Sequence, residues 1–287
     1  MILKTKSLPK PILQIIVDKA TEYPFTGEYT DTEQAGTYLC RHCGLALYRA
    51  QTKFHSGCGW PSFDAEIPGA VKHEQDRDGH RTEILCARCK AHLGHVFHGE
   101  HFTSTNYRHC VNSASLDFVT DTTVKDTEEV IIAAGCFWGV EYYFKKLTGI
   151  LKTEVGYTGG HKDNPTYEEI CRKNTGHVEA LRIIYDPEKI NFTKVIQYFF
   201  EIHDPTQTDG QGPDLGEQYL SVIFYYTDEH KKLAEKVKAE LISKGLAVVT
   251  KILPVSVFWH AENYHQDYYT KTGHHPYCHQ YVKRFDK

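Results

Sequence analysis

Val130-Ile-Ile-Ala-Ala-Gly-Cys-Phe-Trp-Gly139 is the stretch on which the fold turns. Val130 to Ala134 is a short apolar run suited to a buried strand, and it stops at Gly135. From Cys136 the period changes: Cys136, Val140, Tyr143, Phe144 and Leu147 recur at the spacing of one helix face. Val178 to Tyr185 reads as a further strand ended by Asp186-Pro187. Phe192, Val195, Ile196, Phe199 and Phe200 form a helical stripe that ends before Asp204-Pro205. Leu233, Val237 and Leu241 form another, ended by Gly245.

Upstream of this stretch the texture differs. Short apolar runs are broken by Gly, Pro and Asp, and six of the nine cysteines lie there, a mostly β pattern. The polar segment Thr120 to Glu129 joins the two textures. A chain of 287 residues accommodates two cores, so domains are expected at 1–121 and 122–287. The two halves do not resemble each other and no internal repeat is visible.

The net charge of -4 does not suit a basic nucleic-acid binder. No apolar run is long enough for a membrane helix, and Pro11 to Val17 is short, followed by Asp18 and Lys19, and lacks a cleavage pattern. The expected address is therefore the cytoplasm, where thiols stay reduced. Nine cysteines in that setting suggest metal ligands and reactive thiols. The sole methionine is Met1, which suits a protein working among oxidants but is equally explained by chance.

Cys40-Arg-His-Cys43 and Cys86-Ala-Arg-Cys89 are two C-x-x-C pairs, and together they supply a closed tetrahedral zinc site. Their separation exceeds that of a ribbon, so the metal would clip two distant loops of one domain. The alternatives are redox pairs or ordinary buried thiols. A zinc-ribbon nucleic-acid module would need clustered Lys and Arg, and residues 40–110 carry too many acids and histidines for that.

Cys58 lies in Ser56-Gly-Cys-Gly-Trp-Pro-Ser-Phe63. Cys110 lies in Arg108-His-Cys-Val-Asn-Ser-Ala-Ser115, and His92-Leu-Gly-His-Val-Phe97 falls between them. Positive neighbours such as Arg108 and His109 would favour a thiolate at Cys110. In the second half, Cys136 opens a helix, whose N-terminal dipole also favours thiolate. Phe137 and Trp138 beside it either wrap a small apolar group or are core aromatics. Glu179 sits in an apolar strand with Leu181, Ile183 and Tyr185. It is either a general acid of raised pKa or an edge-strand carboxylate facing water. Tyr157 and Tyr219 are candidate donors to a developing oxyanion, and Asp214 a candidate orienting group.

The motifs Gly36-Thr-Tyr-Leu-Cys-Arg-His-Cys-Gly44, Ser56–Phe63, Cys86-Ala-Arg-Cys-Lys-Ala-His-Leu-Gly-His-Val-Phe97 and Arg108-His-Cys-Val-Asn-Ser-Ala-Ser-Leu116 resemble the B-type methionine sulfoxide reductases, specific for the R epimer, over residues 8–120. This resemblance implies a catalytic thiolate at Cys110, a resolving thiol at Cys58, and substrate or proton roles for His92, His95, Arg108 and Asn112. It also implies an aromatic wall at Trp60 and zinc on Cys40, Cys43, Cys86 and Cys89. Lys90 stands where that family more often has glycine.

Gly135-Cys-Phe-Trp-Gly139, Gly156-Tyr-Thr-Gly-Gly160, Tyr167-Glu-Glu-Ile-Cys171, Thr175-Gly-His-Val-Glu179, Tyr185-Asp-Pro187, Gly212-Pro-Asp-Leu-Gly-Glu-Gln-Tyr219 and Ala261-Glu-Asn-Tyr-His-Gln266 resemble the A type, specific for the S epimer, over residues 128–280. The implied roles are Cys136 as nucleophile, Glu179 as acid, Tyr157 and Tyr219 as oxygen-binding donors, Phe137 with Trp138 as a methyl pocket, and Asp214 in the same site. Cys278, on a tail expected to be mobile, is the resolving thiol, and Cys171 a structural one. Leu220 and Trp259 depart from the arginine and tyrosine common at those places.

Together the resemblances imply an α+β protein. A mainly antiparallel β, zinc-clipped N-terminal domain precedes an α+β domain with a central mixed sheet. They also imply reduction of both sulfoxide epimers and re-reduction by a thioredoxin-like dithiol. A thiol peroxidase and a zinc-stabilised redox sensor are the rival readings.

Overall fold

The computed structural model describes residues 6–172 and 174–285. Residues Leu8–Glu128 form one compact unit. Those from Glu129 on form another, joined by the short strand Lys6–Ser7. The division falls after Glu128, past the sequence boundary at 121/122. The reason is packing: Val124 is fully buried, Thr127 Oγ1 donates to the Gly44 carbonyl (2.7 Å), and Arg88 binds Asp126 (2.9 Å). The polar joining segment is thus held by the first unit.

The first unit is mainly antiparallel β, as expected. A six-stranded sheet runs in the order Lys53–Phe54, Ser62–Phe63, Tyr107–Val111, His92–His98, Thr82–Cys86, Val71–Gln75. A three-stranded sheet runs Leu116–Val119, Thr37–Cys40, Ala46–Arg49. Pairing across the larger sheet sets Ser62 beside Cys110, Cys110 beside His95, and His95 beside Glu83. Side chains in one such row share a face. The register between Thr82–Cys86 and His92–His98 shifts once, a bulge that turns His92 onto the same face as His95. Their rings lie 5.6 Å apart.

The second unit is built on a seven-stranded mixed sheet. Its order is Lys6–Ser7, Phe258–His260, Ile150–Thr158, Val178–Tyr185, Glu128–Ala134, Ser221–Tyr225, Lys251–Pro254. The first and last pairs are parallel. Both faces are covered, which is why Val130–Ala134 is apolar throughout rather than alternating. Val130, Ile132 and Ala134 face the core beneath the helices, and Ile131 and Ala133 face a second cluster with Val178, Ala180 and Phe258. The helix Phe192–Glu201 buries its predicted stripe and is capped by Asn191, whose side chain accepts from Lys194 N–H (3.0 Å). The helix Asp228–Ser243 is capped by Thr227 and ends before Gly245, at φ +91°.

Candidate active sites and metal centre

The four cysteines of the two C-x-x-C pairs are buried, and their sulfurs lie within 4.8 Å of one another. Cys40–Cys89 and Cys43–Cys86 are each 3.6 Å apart. Zinc–sulfur bonds of about 2.3 Å at tetrahedral angles set sulfurs about 3.8 Å apart, so the four thiols fit a structural zinc. The pairs lie on matching turns. Gly44 N–H returns to Cys40 O (2.7 Å) and Lys90 N–H to Cys86 O (2.9 Å), with φ of +71° and +66°. Lys90 therefore holds the left-handed conformation that glycine adopts without steric cost.

Cys110 lies mid-sheet on Tyr107–Val111. Cys58 comes from the loop before Ser62–Phe63, and the two sulfurs are 3.8 Å apart. Ser56 Oγ donates to Cys58 (3.0 Å), and Ser62 Oγ is 3.5 Å from it. Hydrogen bonding from Cys110, aided by the serines, pulls Cys58 down to about 4. The same contact, with burial, pushes Cys110 up, against the pull of Arg108. The two shifts favour the charged form on Cys58 over Cys110, where the positive neighbours were expected to hold it. Two facts explain the difference. Arg108 is already held by Glu100 through two hydrogen bonds (2.6 and 2.8 Å) and stacks 4.4 Å over Phe97. His109 points to the opposite face, toward Tyr48 and Glu66, and burial holds it down to about 4.

A cleft of about 110 Å³ opens on Cys110, walled by Trp60, Phe97, His95, Asn112, Gly94, Thr21 and Arg81. His92 Nδ1 meets Glu83 (2.6 Å), which Lys19 also binds (2.6 Å), and His95 Nε2 meets Asp76 (2.6 Å). His92 Nε2 is buried and has no hydrogen-bond partner among the described residues. Asn112 spends its amide on backbone, accepting from Glu22 N–H and donating to Leu93 O, both at 3.1 Å. It therefore fixes the N-terminal segment over the sheet. Glu22 completes that clamp: its carboxylate accepts Ser113 and Ala114 N–H, and its carbonyl accepts the Trp60 indole N–H. Glu22, Asp76, Glu83 and Phe97 escaped the sequence reading. Only Phe97 and Glu83 carried a signal, Phe97 through its motif and Glu83 as an acid in an apolar strand.

In the second unit, Cys136 is the N-cap of the helix Phe137–Phe144. It is 6% exposed, and its sulfur, that of Cys278 and an Asp214 carboxylate oxygen lie within 4.8 Å of one another. Contact with Cys278, then burial, push the Cys136 thiol well up, although the Trp138 and Gly139 N–H groups at the helix start pull it down. The dipole argument identified a real contribution but not the larger opposing ones. Glu179 is 2% exposed on the interior strand Val178–Tyr185, so it is not an edge residue facing water. Its Oε2 accepts Phe137 N–H (3.1 Å), and burial, then the nearby Cys136, raise its pKa well above a carboxylate's. The site thus favours the protonated form of this acid beside the thiol.

Tyr157 pairs across strands with Glu179, but its hydroxyl donates to Glu262 (2.9 Å). Tyr219, from the turn Glu217–Tyr219, stands near Glu179, Asp214 and Cys136. Asp214 accepts from Tyr277 (3.0 Å). Phe137 is buried. Trp138 stacks on Tyr268 with centroids 3.7 Å apart, and its N–H donates to His265 (3.1 Å). Glu262, His265 and Gln266 were missed as individuals although they sit in Ala261–Gln266. The Gln266 amide mimics a strand by accepting Val155 N–H and donating to Val155 O, both at 2.9 Å. Cys278 is buried beside Cys136 rather than carried on a free tail, and Cys171 is exposed, not a packing thiol.

Each unit thus brings two thiols together beside proton-carrying groups, the equipment of a thiol-based oxidoreductase. Residues 128–287 match the model of the peptide methionine sulfoxide reductase family, and residues 8–120 that of the SelR domain. The peptide methionine sulfoxide reductase MsrA of Methanosarcina mazei is 51% identical over 149 residues, which are 51% of this chain and 71% of that protein. That of Thermus thermophilus is 45% identical over 152 residues, 53% of this chain and 86% of that protein. The crystal structure of reduced Mxr1 from Saccharomyces cerevisiae aligns with a TM-score of 0.51 at 37% identity, over 53% of this chain and 89% of that one. The chain belongs to the peptide methionine sulfoxide reductase family, with a SelR domain preceding the reductase domain that names the family.

Proposed function

We propose that the first domain reduces the R epimer and the second the S epimer of methionine sulfoxide, in oxidised proteins and as the free amino acid, so that one cytoplasmic chain repairs both products of a non-stereospecific oxidant. The observation that carries this is the duplication of a thiol pair: Cys110 with Cys58 (3.8 Å) and Cys136 with Cys278. In the first domain Cys110 lines the cleft, so its thiolate attacks the sulfoxide sulfur while a nearby acid protonates the oxygen. In the second, Cys136 attacks while Glu179 protonates the sulfoxide oxygen. Tyr219 and, once its hydroxyl turns from Glu262, Tyr157 donate to that oxygen, Asp214 orients these groups, and Phe137 and Trp138 hold the methyl group. Trp60 plays the latter part in the first domain, with His92, His95 and Arg108 shaping the proton supply and Asn112 walling the cleft.

In each case methionine leaves and the cysteine retains the oxygen as a sulfenic acid. Cys58 or Cys278 condenses with it to a disulfide, and a thioredoxin-like dithiol reduces that bond. Zinc held by Cys40, Cys43, Cys86 and Cys89 is structural, and when bound it supplies folding free energy only.

The test is turnover of racemic methionine sulfoxide with dithiothreitol, resolved by epimer. The intact chain should consume both epimers, Cys110→Ser should lose only R turnover and Cys136→Ser only S turnover. If one substitution abolishes both, the two-site reading is wrong.

A further inference from the structure

The residue after the second domain's resolving cysteine has a place built for it. His279 Nε2 lies 2.6 Å from the Ala134 carbonyl oxygen, and its Nδ1 lies 3.1 Å from Cys278 Sγ. A carbonyl only accepts, so Nε2 carries the hydrogen. Burial keeps the ring neutral, its pKa pushed down to about 4. Nδ1 is then a bare lone pair, and the Cys278 S–H donates to it.

The seat is specific. A Cβ on Gly139 would fall 2.2 Å from His279 Nδ1, so the last glycine of Gly135-Cys-Phe-Trp-Gly139 makes room for this ring. Gln211 donates to the Cys278 carbonyl (3.4 Å), and Tyr143 to that of His279 (3.4 Å). These contacts lock the Cys278-His279 dipeptide against the start of the catalytic helix.

We infer that His279 is the general base of the resolving step, taking the Cys278 thiol proton as the sulfur attacks the Cys136 sulfenic acid. This rests on Cys278 being the resolving thiol. Cys278 Sγ bonds to Cys136 Sγ as the Cys136 S–O bond breaks. Cys278 is oxidised and Cys136 reduced, and the departing hydroxide takes a proton and leaves as water. The proton on His279 then returns to solvent, so the sum is sulfenic acid plus thiol to disulfide plus water. The groups facing this pair are Cys136, the Asp214 carboxylate, protonated Glu179 beyond Cys136, the hydroxyls of Tyr269 and Tyr277, and His203, itself held neutral by burial. Asp214 is the anion among them that favours a transient imidazolium.

The experiment is a single turnover of the S epimer by the full chain carrying Cys110→Ser, which silences the first domain. Methionine release and disulfide formation are followed by rapid quench with thiol alkylation, from pH 6 to 9.5. With His279→Asn added, disulfide formation should slow at least tenfold relative to methionine release at pH 7. Its rate should then climb with pH as hydroxide replaces the missing base, closing the gap at the alkaline end. A wild-type rate ratio at all pH values, or a loss equal at all of them, overturns the inference. His279→Gln serves as the second variant, and a loss of folding in one leaves the other to decide. Cys278→Ser separates the two claims. If it accumulates a sulfenic acid trapped by dimedone while His279→Asn behaves as wild type, only the base is wrong. If it still forms the disulfide, the resolving assignment fails with it.

Discussion

The proton balance of each site is settled at the scale of single side chains. Cys110 and Cys58 sit 3.8 Å apart, and the serine hydroxyls gather on Cys58, so the charged form is favoured there. Because hydrogen bonding from Cys110 is the largest cause of Cys58's low value, about 4, Cys110→Ala should return Cys58 toward an ordinary thiol near 8.5. Iodoacetamide labelling of Cys58 should be almost flat between pH 6 and 8 in the intact chain. In the variant it should rise roughly tenfold per pH unit, as for a thiol titrating above the range. A profile that does not move shows that the serines alone hold the charge. Glu179 presents the opposite case. Its carboxyl is shut in an apolar strand, and burial favours the protonated form, which is the form an acid catalyst must have.

Elements decide which of these side chains can meet. His92 and His95 are three apart, so a regular strand would send them to opposite faces. The bulge opposite Ile84 and Leu85 brings both above Cys110's row. In the second unit, Glu179 and Arg182 on Val178–Tyr185 point to opposite faces by the same rule, one to the thiols and one to an ion cluster. Arg182 is 1% exposed and binds Glu129 (2.7 Å) and Glu154 (2.5 Å). Arg182→Met should destabilise the second unit by about 3 kcal/mol, because two shielded carboxylates lose their shared partner. Urea unfolding monitored by fluorescence would measure this. The triple change with Glu129→Gln and Glu154→Gln should recover part of the loss, and if it does not, packing rather than charge explains the cost.

At the scale of the whole molecule, two compact units carry unlike sheets: the two of the first unit are antiparallel throughout, and the large sheet of the second is mixed. The four-cysteine cluster joins turns that are far apart in sequence, so a metal there stabilises the fold of the first unit by closing a long loop. Metal analysis should find one zinc per chain. Removing it with a chelator should lower the unfolding temperature of the first unit and its R-epimer turnover, while S-epimer turnover persists. Loss of both activities together would show that the zinc supports more than its own unit.

The amino-acid sequence by itself determined the elements and the chemical inventory. The period change at Gly135-Cys136 marked strand and helix, the doubled C-x-x-C marked a tetrahedral thiol cluster, and the motifs named the thiols and Glu179. These are local properties, written in spacing and residue type. Tertiary structure alone decided which protonation states the surroundings favour and which partners are spent. The helix dipole at Cys136 is outweighed by burial and by Cys278, Arg108 is engaged by Glu100, and Tyr157 is turned to Glu262. Each of these depends on distances of a few ångströms between residues remote in sequence. The same holds for His279, whose meaning appears only when Gly139, Ala134 and Cys278 close around its ring.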